Sequence, residues 1–243
     1  MKKSILIGFE YAPPISRLPG IVWDLKQMYK RQRRMKPDRT LVVTDIAGLS
    51  FRKAEVYKFG GLEDMMQRLA AFAEGADQLL LYYTGHARDG YFVLPDGGGL
   101  PMESISNLLS QTVVPNGQII CLLDCCNSTG FGLPYRMIRD GTFDFRPAMS
   151  FFSQQIVCVS SSLETERSAC TRSGSIFTRA LSKLLKRRVS VLTEIYRGCM
   201  KSVGTHEQTV SIGSSHPNLR TLWPWLYGQQ TIMDQFRCLL FNS

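Results

Sequence analysis

Five short, nearly continuous apolar runs, set apart by turns and helical patterns, constrain this chain more than any other feature of it. They are SILIGFE (Ser4 to Glu10), TLVVTD (Thr40 to Asp45), QLLLYYTG (Gln78 to Gly85), QIICLLD (Gln118 to Asp124) and SQQIVCVSSS (Ser153 to Ser162). Runs of this length bounded by turn residues read as strands. Between and after them lie amphipathic stretches: IVWDLKQMYKRQ, GGLEDMMQRLAAFAEGA with Leu62, Met65, Met66 and Leu69 on one face, MESISNLLSQ, GSIFTRALSKLLKRR and VSVLTEIYRGCMKSVG. A hairpin is expected at YFVLPDGG, and HEQTVSIG with the stretch towards NLRTLWPWLYG is expected to give a last strand and a C-terminal cap. Strands that are apolar throughout are buried on both faces. Their alternation with helices predicts an α/β fold, a three-layer sandwich whose mostly parallel central sheet carries helices on both sides.

A chain of 243 residues buries a sizeable core without disulfides or metals. None of its apolar runs approaches the roughly 20 residues of a membrane span, and MKKSILIGFEYAPP has too brief an apolar stretch for a signal peptide. The expected location is cytoplasmic. Seven scattered cysteines then read as reduced thiols, and Cys121, Cys158, Cys170, Cys199 and Cys238 as small packed residues or inert surface thiols. Zinc is not expected, since no CxxC occurs and His86, His206 and His216 stand in no ligand spacing with a cysteine pair. The net charge of +9 gathers in KQMYKRQRRMKPDR (Lys26 to Arg39) and KLLKRR (Lys183 to Arg188). With no zinc finger or aromatic-interleaved RNA motif beside them, these runs read as solvated helix faces and ends, and a nucleic-acid partner is not expected.

In sheets of this kind, sites form at the carboxyl ends of the strands. The third strand ends in TGHARDG and the fourth in DCCNSTG, so His86 and the pair Cys125 and Cys126 are expected at one edge of the sheet. If those strands are neighbours, imidazole and thiol meet. A thiolate attacks a carbonyl, and an imidazole takes the thiol proton and returns it to the leaving amine, so the combination suits acyl transfer. A histidine held structurally after a strand remains the competing reading.

Several stretches resemble the caspase-like cysteine peptidases, most closely the metacaspase branch. KKSILIGFEY followed by LPGIVWDLKQM is similar to that family's first strand and its L-x-G-x-x-x-D helix start; LLLYYTGHA resembles Y-S-G-H-G, VLPDG resembles I-L-P-x-D, DCCNSTG resembles D-x-C-H-S-G, and GSIFTRAL resembles G-x-F-T-x-A-L. The matches keep the family's order from Lys2 to about Leu185. The resemblance implies a cysteine endopeptidase with His86 as the catalytic histidine and Cys126 as the nucleophile. Cys125 then falls at a variable position and is expected to pack behind the turn. The implied oxyanion hole is made by the backbone N–H groups of Cys126 and Ala87. Asp124 is implied to line a pocket selecting Arg or Lys before the cut, the alternative being a cap for the turn. Glu166, with Glu164 close behind, is implied as a second acidic contribution.

Three departures qualify these expectations. Ala87 stands where the family has Gly, Asn127 where it has His, and Thr129 is inserted before Gly130. Only ARDGYF separates His86 from VLPDG, so the long acidic loop of calcium-dependent metacaspases has no counterpart there; no calcium requirement through that loop, and no other cofactor, is expected. The chain starts at the first strand, and no prodomain is expected.

The expected organisation is one peptidase domain over 1–243, with a large-subunit-like part (1–130), a linker (131–152) and a small-subunit-like part (153–243). Within the linker, Arg136 and Arg139 are candidate processing sites for an enzyme that prefers basic residues, Asp140 or Asp144 for one that prefers Asp, and an uncut surface loop is the alternative. Expected partners are protein or peptide substrates, with a homodimer through the last strand left open. The competing function is a catalytically silent caspase-like module that binds or regulates.

Overall fold

The computed structural model describes residues 1–128, 131–137, 142–145, 152–163, 165–206 and 208–222. In chain order the elements are β1 (Lys2–Gly8), α1 (Ile21–Gln32), β2 (Arg39–Thr44), β3 (Glu55–Lys58), α2 (Leu62–Ala73), β4 (Gln78–Thr84), β5 (Ala87–Arg88), β6 (Tyr91–Val93), β7 (Gly99–Pro101), α3 (Met102–Thr112) and β8 (Gln118–Asp124). There follow β9 (Tyr135–Met137), β10 (Phe143–Phe145), β11 (Gln155–Ser160), β12 (Cys170–Thr171), β13 (Gly174–Ser175), α4 (Ile176–Lys186), α5 (Leu192–Val203) and β14 (Ser211–Ser214).

Nine strands form one sheet in the order β10-β9-β14-β11-β8-β4-β1-β2-β3. The six from β11 to β3 are parallel, and β14, β9 and β10 add antiparallel to that edge. Period-two alternation within the apolar runs explains the three layers. Ile5, Ile7, Leu79, Leu81, Ile119, Cys121 and Leu123 face a core with Met65, Leu69 and Phe72 of α2 and Ile105 and Leu109 of α3. Leu6, Leu80, Tyr82, Ile120 and Leu122 face the opposite core, with Ile21, Leu25 and Met28 of α1, Phe177 and Leu181 of α4 and Ile195 and Cys199 of α5. The expected α/β sandwich is therefore present, and strands from both before and after residues 131–152 lie in the same sheet.

The differences from expectation lie at the margins. EVYK, only partly buried, forms the edge strand β3. The predicted hairpin lies in a separate three-stranded sheet, β5-β6-β7. Most consequentially, part of the linker is sheet: β9 pairs with β14 on one side and β10 on the other. The last described strand thus has neighbours on both sides, and among the described residues the sheet's outer strands are β10 and β3.

This changes the outlook for processing. Arg136 stands in β9 opposite Gly213 and Asp144, so its backbone is committed to the sheet, whereas a peptidase binds its substrate as an unpaired extended chain. Asp144 is likewise in β10. Arg139 and Asp140 lie outside the described residues. If the linker is cut, Arg139→Ala is expected to abolish the cut and Arg136→Ala to leave it, as read by the masses of the fragments.

The two basic runs become neighbours where α1 packs on α4. Arg31 Nε donates to Ser182 Oγ (2.8 Å) and an Arg34 guanidinium nitrogen to the Lys186 carbonyl (3.1 Å). Cations near the last turn of α4 offset its carbonyl dipole. Among the described residues, no helix is long and apolar enough to cross a membrane.

Candidate active site

Strands β4 and β8 are adjacent and parallel, with Thr84 opposite Asp124 at their carboxyl ends. His86 and Cys126 each stand two residues beyond that pair, so the sheet delivers both to one edge, as the strand-end rule requires. Both are partly exposed.

His86 is oriented from the β1–α1 loop. Its Nε2 lies 2.7 Å from the carbonyl oxygen of Ser16. A carbonyl only accepts, so Nε2 carries the proton and, in the neutral ring, Nδ1 keeps the lone pair. Cys126 Sγ accepts a hydrogen bond from the Ser168 backbone N–H at 3.2 Å.

The turn holding Cys126 is tied down by the serines that end β11. The Cys125 N–H donates to Ser161 Oγ (3.1 Å), and the Cys125 carbonyl accepts from the hydroxyls of Ser161 (3.0 Å) and Ser162 (2.9 Å). Ser160 Oγ donates to the Ser128 carbonyl (2.8 Å). These hydroxyls satisfy backbone groups that burial would otherwise leave unpaired. Cys125 itself is buried, and burial pushes its thiol well up, so it packs behind the turn as expected.

Two of the departures are accommodated without strain. Ala87 is not among the residues with positive φ, so its Cβ imposes no conformational penalty there. Asn127 does have a φ of 51°, and Asn is among the residues that tolerate that region best. Its N–H donates to the Glu166 carbonyl at 3.1 Å.

Asp124 is only 3% exposed and accepts from three hydroxyls: Ser168 (3.1 Å), Thr178 (2.5 Å) and Ser175. Burial raises its pKa despite these donors. The second acidic group beside it is Asp24 of α1, the acid of the L-x-G-x-x-x-D match, to which the sequence reading gave no role. Ser175 joins the two, since its backbone N–H donates to both Asp24 carboxylate oxygens (3.0 and 3.1 Å) while its hydroxyl serves Asp124. Burial pushes the Asp24 carboxyl up to about 8, and the Asp124 charge adds to the rise. The signal for Asp24 was a carboxylate within the buried stripe Ile21, Leu25 and Met28.

Glycines permit this approach. A Cβ on Gly20 would lie 2.3 Å from the Thr171 carbonyl, and one on Gly174, whose φ is +96°, 2.3 Å from an Asp24 oxygen.

Glu166 serves differently from the expectation. Its Oε2 accepts from the backbone N–H groups of Leu163 (3.0 Å) and Thr209 (2.7 Å), so this carboxylate knits its own loop to the segment before β14 and does not join the Asp124 cluster. Glu164 lies outside the described residues. Gln208, also missed, is buried and ties the segment before β14 to the loop after β11, donating to the Ser161 carbonyl (2.6 Å) and accepting from the Ala169 N–H (3.1 Å). No group of three His, Cys, Asp or Glu side chains suited to a metal occurs among the described residues.

What the arrangement offers is a thiol and an oriented imidazole at adjacent strand ends, beside two buried carboxylates that carry no ion pair among the described residues. Solved structures with this architecture include a Geobacter sulfurreducens protein, 16% identical, with a TM-score of 0.62 over 93% of this chain and 98% of that one. Another is caspase-1 from Spodoptera frugiperda, 12% identical, with a TM-score of 0.58 over 90% of this chain and 88% of that one. No curated protein sequence matches. At such identities the structural likeness speaks for the fold, while the caspase domain family model matches the sequence itself over residues 1–231. The sheet, the order of its motifs and that match converge: this chain belongs to the caspase domain family.

Proposed function

We propose that the protein is a cysteine endopeptidase of the metacaspase type that cuts after Arg or Lys. Caspase-domain proteins are in general cysteine peptidases. The observation that supports the finer reading is the register of β4 and β8, by which His86 and Cys126 stand equally far beyond Thr84 and Asp124, with Asp24 joined to Asp124 through Ser175.

In this mechanism His86 Nδ1 takes the Cys126 thiol proton and the sulfur attacks the scissile carbonyl carbon. The oxyanion is met by the N–H groups of Cys126 and Ala87. The C–N bond breaks as the imidazolium returns its proton to the leaving amine, leaving a thioester. Water, deprotonated by His86, attacks the thioester; the C–S bond breaks, the acid is released and the thiol is restored. Asp24 and Asp124 bind the guanidinium or ammonium of the residue before the cut through charge-assisted hydrogen bonds. An Asp side chain there would bring a further negative charge beside a buried acidic pair, which disfavours the caspase-type preference.

The second reading, a silent module, draws on a specific feature. Ser168 spans the site, its N–H on Cys126 Sγ and its hydroxyl on Asp124, so productive binding requires that segment to move.

Fluorogenic peptides differing only in a terminal Arg, Lys or Asp separate the readings. The Arg and Lys peptides are expected to be cut at least ~100-fold faster than the Asp peptide, with no loss on adding a chelator. Faster cleavage of the Asp peptide overturns the specificity assignment, and no cleavage of any peptide favours the silent module.

A further inference from the structure

Neither the Cys/His chemistry nor the acidic pocket explains why the backbone on both sides of the His86 side chain is held by tyrosine hydroxyls. The His86 N–H donates to Tyr11 Oη at 2.8 Å, and Tyr83 Oη donates to the His86 carbonyl at 2.7 Å. Tyr11 spends its own proton on the Val93 carbonyl (2.9 Å), and the two phenol oxygens lie 3.3 Å apart. Val93 N–H also donates to the His86 carbonyl, at 3.0 Å. The Tyr11 ring in addition lies against the imidazole, with centroids 4.8 Å apart and planes inclined by 41°.

Tyr11 is placed there by construction. It follows the first strand with a φ of 64°, an uncommon conformation for a bulky residue. Asp45, just past β2, holds it so: its two carboxylate oxygens accept the N–H groups of Glu10 (2.8 Å) and Tyr11 (2.7 Å). The hydroxyl fits into the notch left by Gly85, where a Cβ would lie 2.6 Å from Tyr11 Oη and 2.9 Å from Tyr83 Oη. The same loop supplies the Ser16 carbonyl to Nε2. Ring face, backbone amide and ring nitrogen of His86 are therefore all held from the β1–α1 loop.

We infer that Tyr11 is a positioning residue for His86, fixing the backbone beneath the imidazole and walling one face of the ring so that Nε2 stays on the Ser16 carbonyl and Nδ1 stays free for the thiol. This rests on the peptidase reading for its catalytic consequence, but the positioning itself is a property of the folded chain. The Tyr83 hydroxyl plays a lesser part, because Val93 N–H remains on the His86 carbonyl when it is removed.

The test compares Tyr11→Phe, Tyr11→Leu and Tyr83→Phe with the unsubstituted protein by peptide kinetics and by nitrogen-15 NMR of the imidazole tautomers. With three histidines in the chain, the His86 signals are assignable through His86→Gln. Tyr11→Phe is expected to lower kcat ~10-fold and Tyr11→Leu ~100-fold, both with KM within about twofold, since loss of orientation acts on the reacting groups and not on the pocket. Tyr83→Phe lowers kcat less than Tyr11→Phe. The His86 ring changes from the Nε2–H tautomer to a mixture in Tyr11→Leu. Unchanged kcat, a loss confined to KM, or an undisturbed tautomer each overturns the inference. Should Tyr11→Leu fail to fold, Tyr11→Phe decides, its ring being retained. If the unsubstituted protein cuts no peptide, the peptidase reading fails by itself, and the tautomer in the Tyr11 variants still decides the positioning.

Discussion

Replacing Cys126 with alanine is expected, on the proposed peptidase reading, to lower peptide cleavage by at least ~10⁴-fold, the scale on which covalent catalysts lose activity when the nucleophile is removed. The change is expected to leave stability nearly intact. Cys126 is partly exposed, and its sulfur accepts one backbone N–H whose loss is worth about 1 kcal/mol. Cys125→Ala is the matched control with the opposite signature. That thiol is buried behind the turn, so its truncation costs stability through a small cavity but keeps kcat within a few-fold. Kinetics and thermal melts of the two variants check the assignment. A Cys125→Ala protein that is folded and inactive would move the nucleophile by one residue and sink the role of Cys126.

The acidic pair carries the second large effect. Asp124→Asn and Asp24→Asn are each expected to lower kcat/KM for an Arg peptide by ~10²–10³-fold, as removal of one partner from a buried, hydrogen-bonded charge pair does. An amide in place of Asp124 still fits its surroundings, because the hydroxyls of Ser168, Ser175 and Thr178 rotate to donate or accept.

The pair also predicts a pH dependence. Burial pushes the Asp24 carboxyl up to about 8, with Asp124 adding to the rise, against an ordinary value of 3.8. The folded protein thus holds this proton more tightly than the unfolded chain. The associated stability is fully present below pH 3.8 and is lost as pH rises to about 8. Asp24→Asn, which does not ionise, should gain in melting temperature over the unsubstituted protein between pH 5 and pH 9. An amidinium probe such as benzamidine favours the ionised carboxylate, so it should bind most tightly above about pH 8 and expel a proton when it binds at neutral pH. Binding that is flat from pH 6 to 9 would mean that Asp24 does not meet the cation.

Local chemistry explains what the sequence made legible. A strand buried on both faces must be apolar at every position, so QLLLYYTG and QIICLLD declared themselves as central strands without reference to the rest of the chain. A parallel sheet then puts the residues after such strands at one edge, which brought His86 and Cys126 forward as a pair. EVYK and the β9–β10 pair lacked that signature, because strands outside the doubly covered centre need not be apolar throughout. Their pairing is decided by the neighbour that accepts them, β2 for the one and β14 for the other.

The sequence by itself determined the layered sheet, the order of its central strands along the chain and the placing of His86 and Cys126 at one edge of it, since these follow from periodicity and strand direction. The tertiary structure alone decided which carboxylates are brought together. Asp24 and Asp124 lie on different elements a hundred residues apart and are joined through Ser175, from a third. Glu166, nearer in sequence to that serine, turns instead to the amides of Leu163 and Thr209. A carboxylate's role depends on the donors and burial that surround it, and those are contributed by chain segments that only folding brings together.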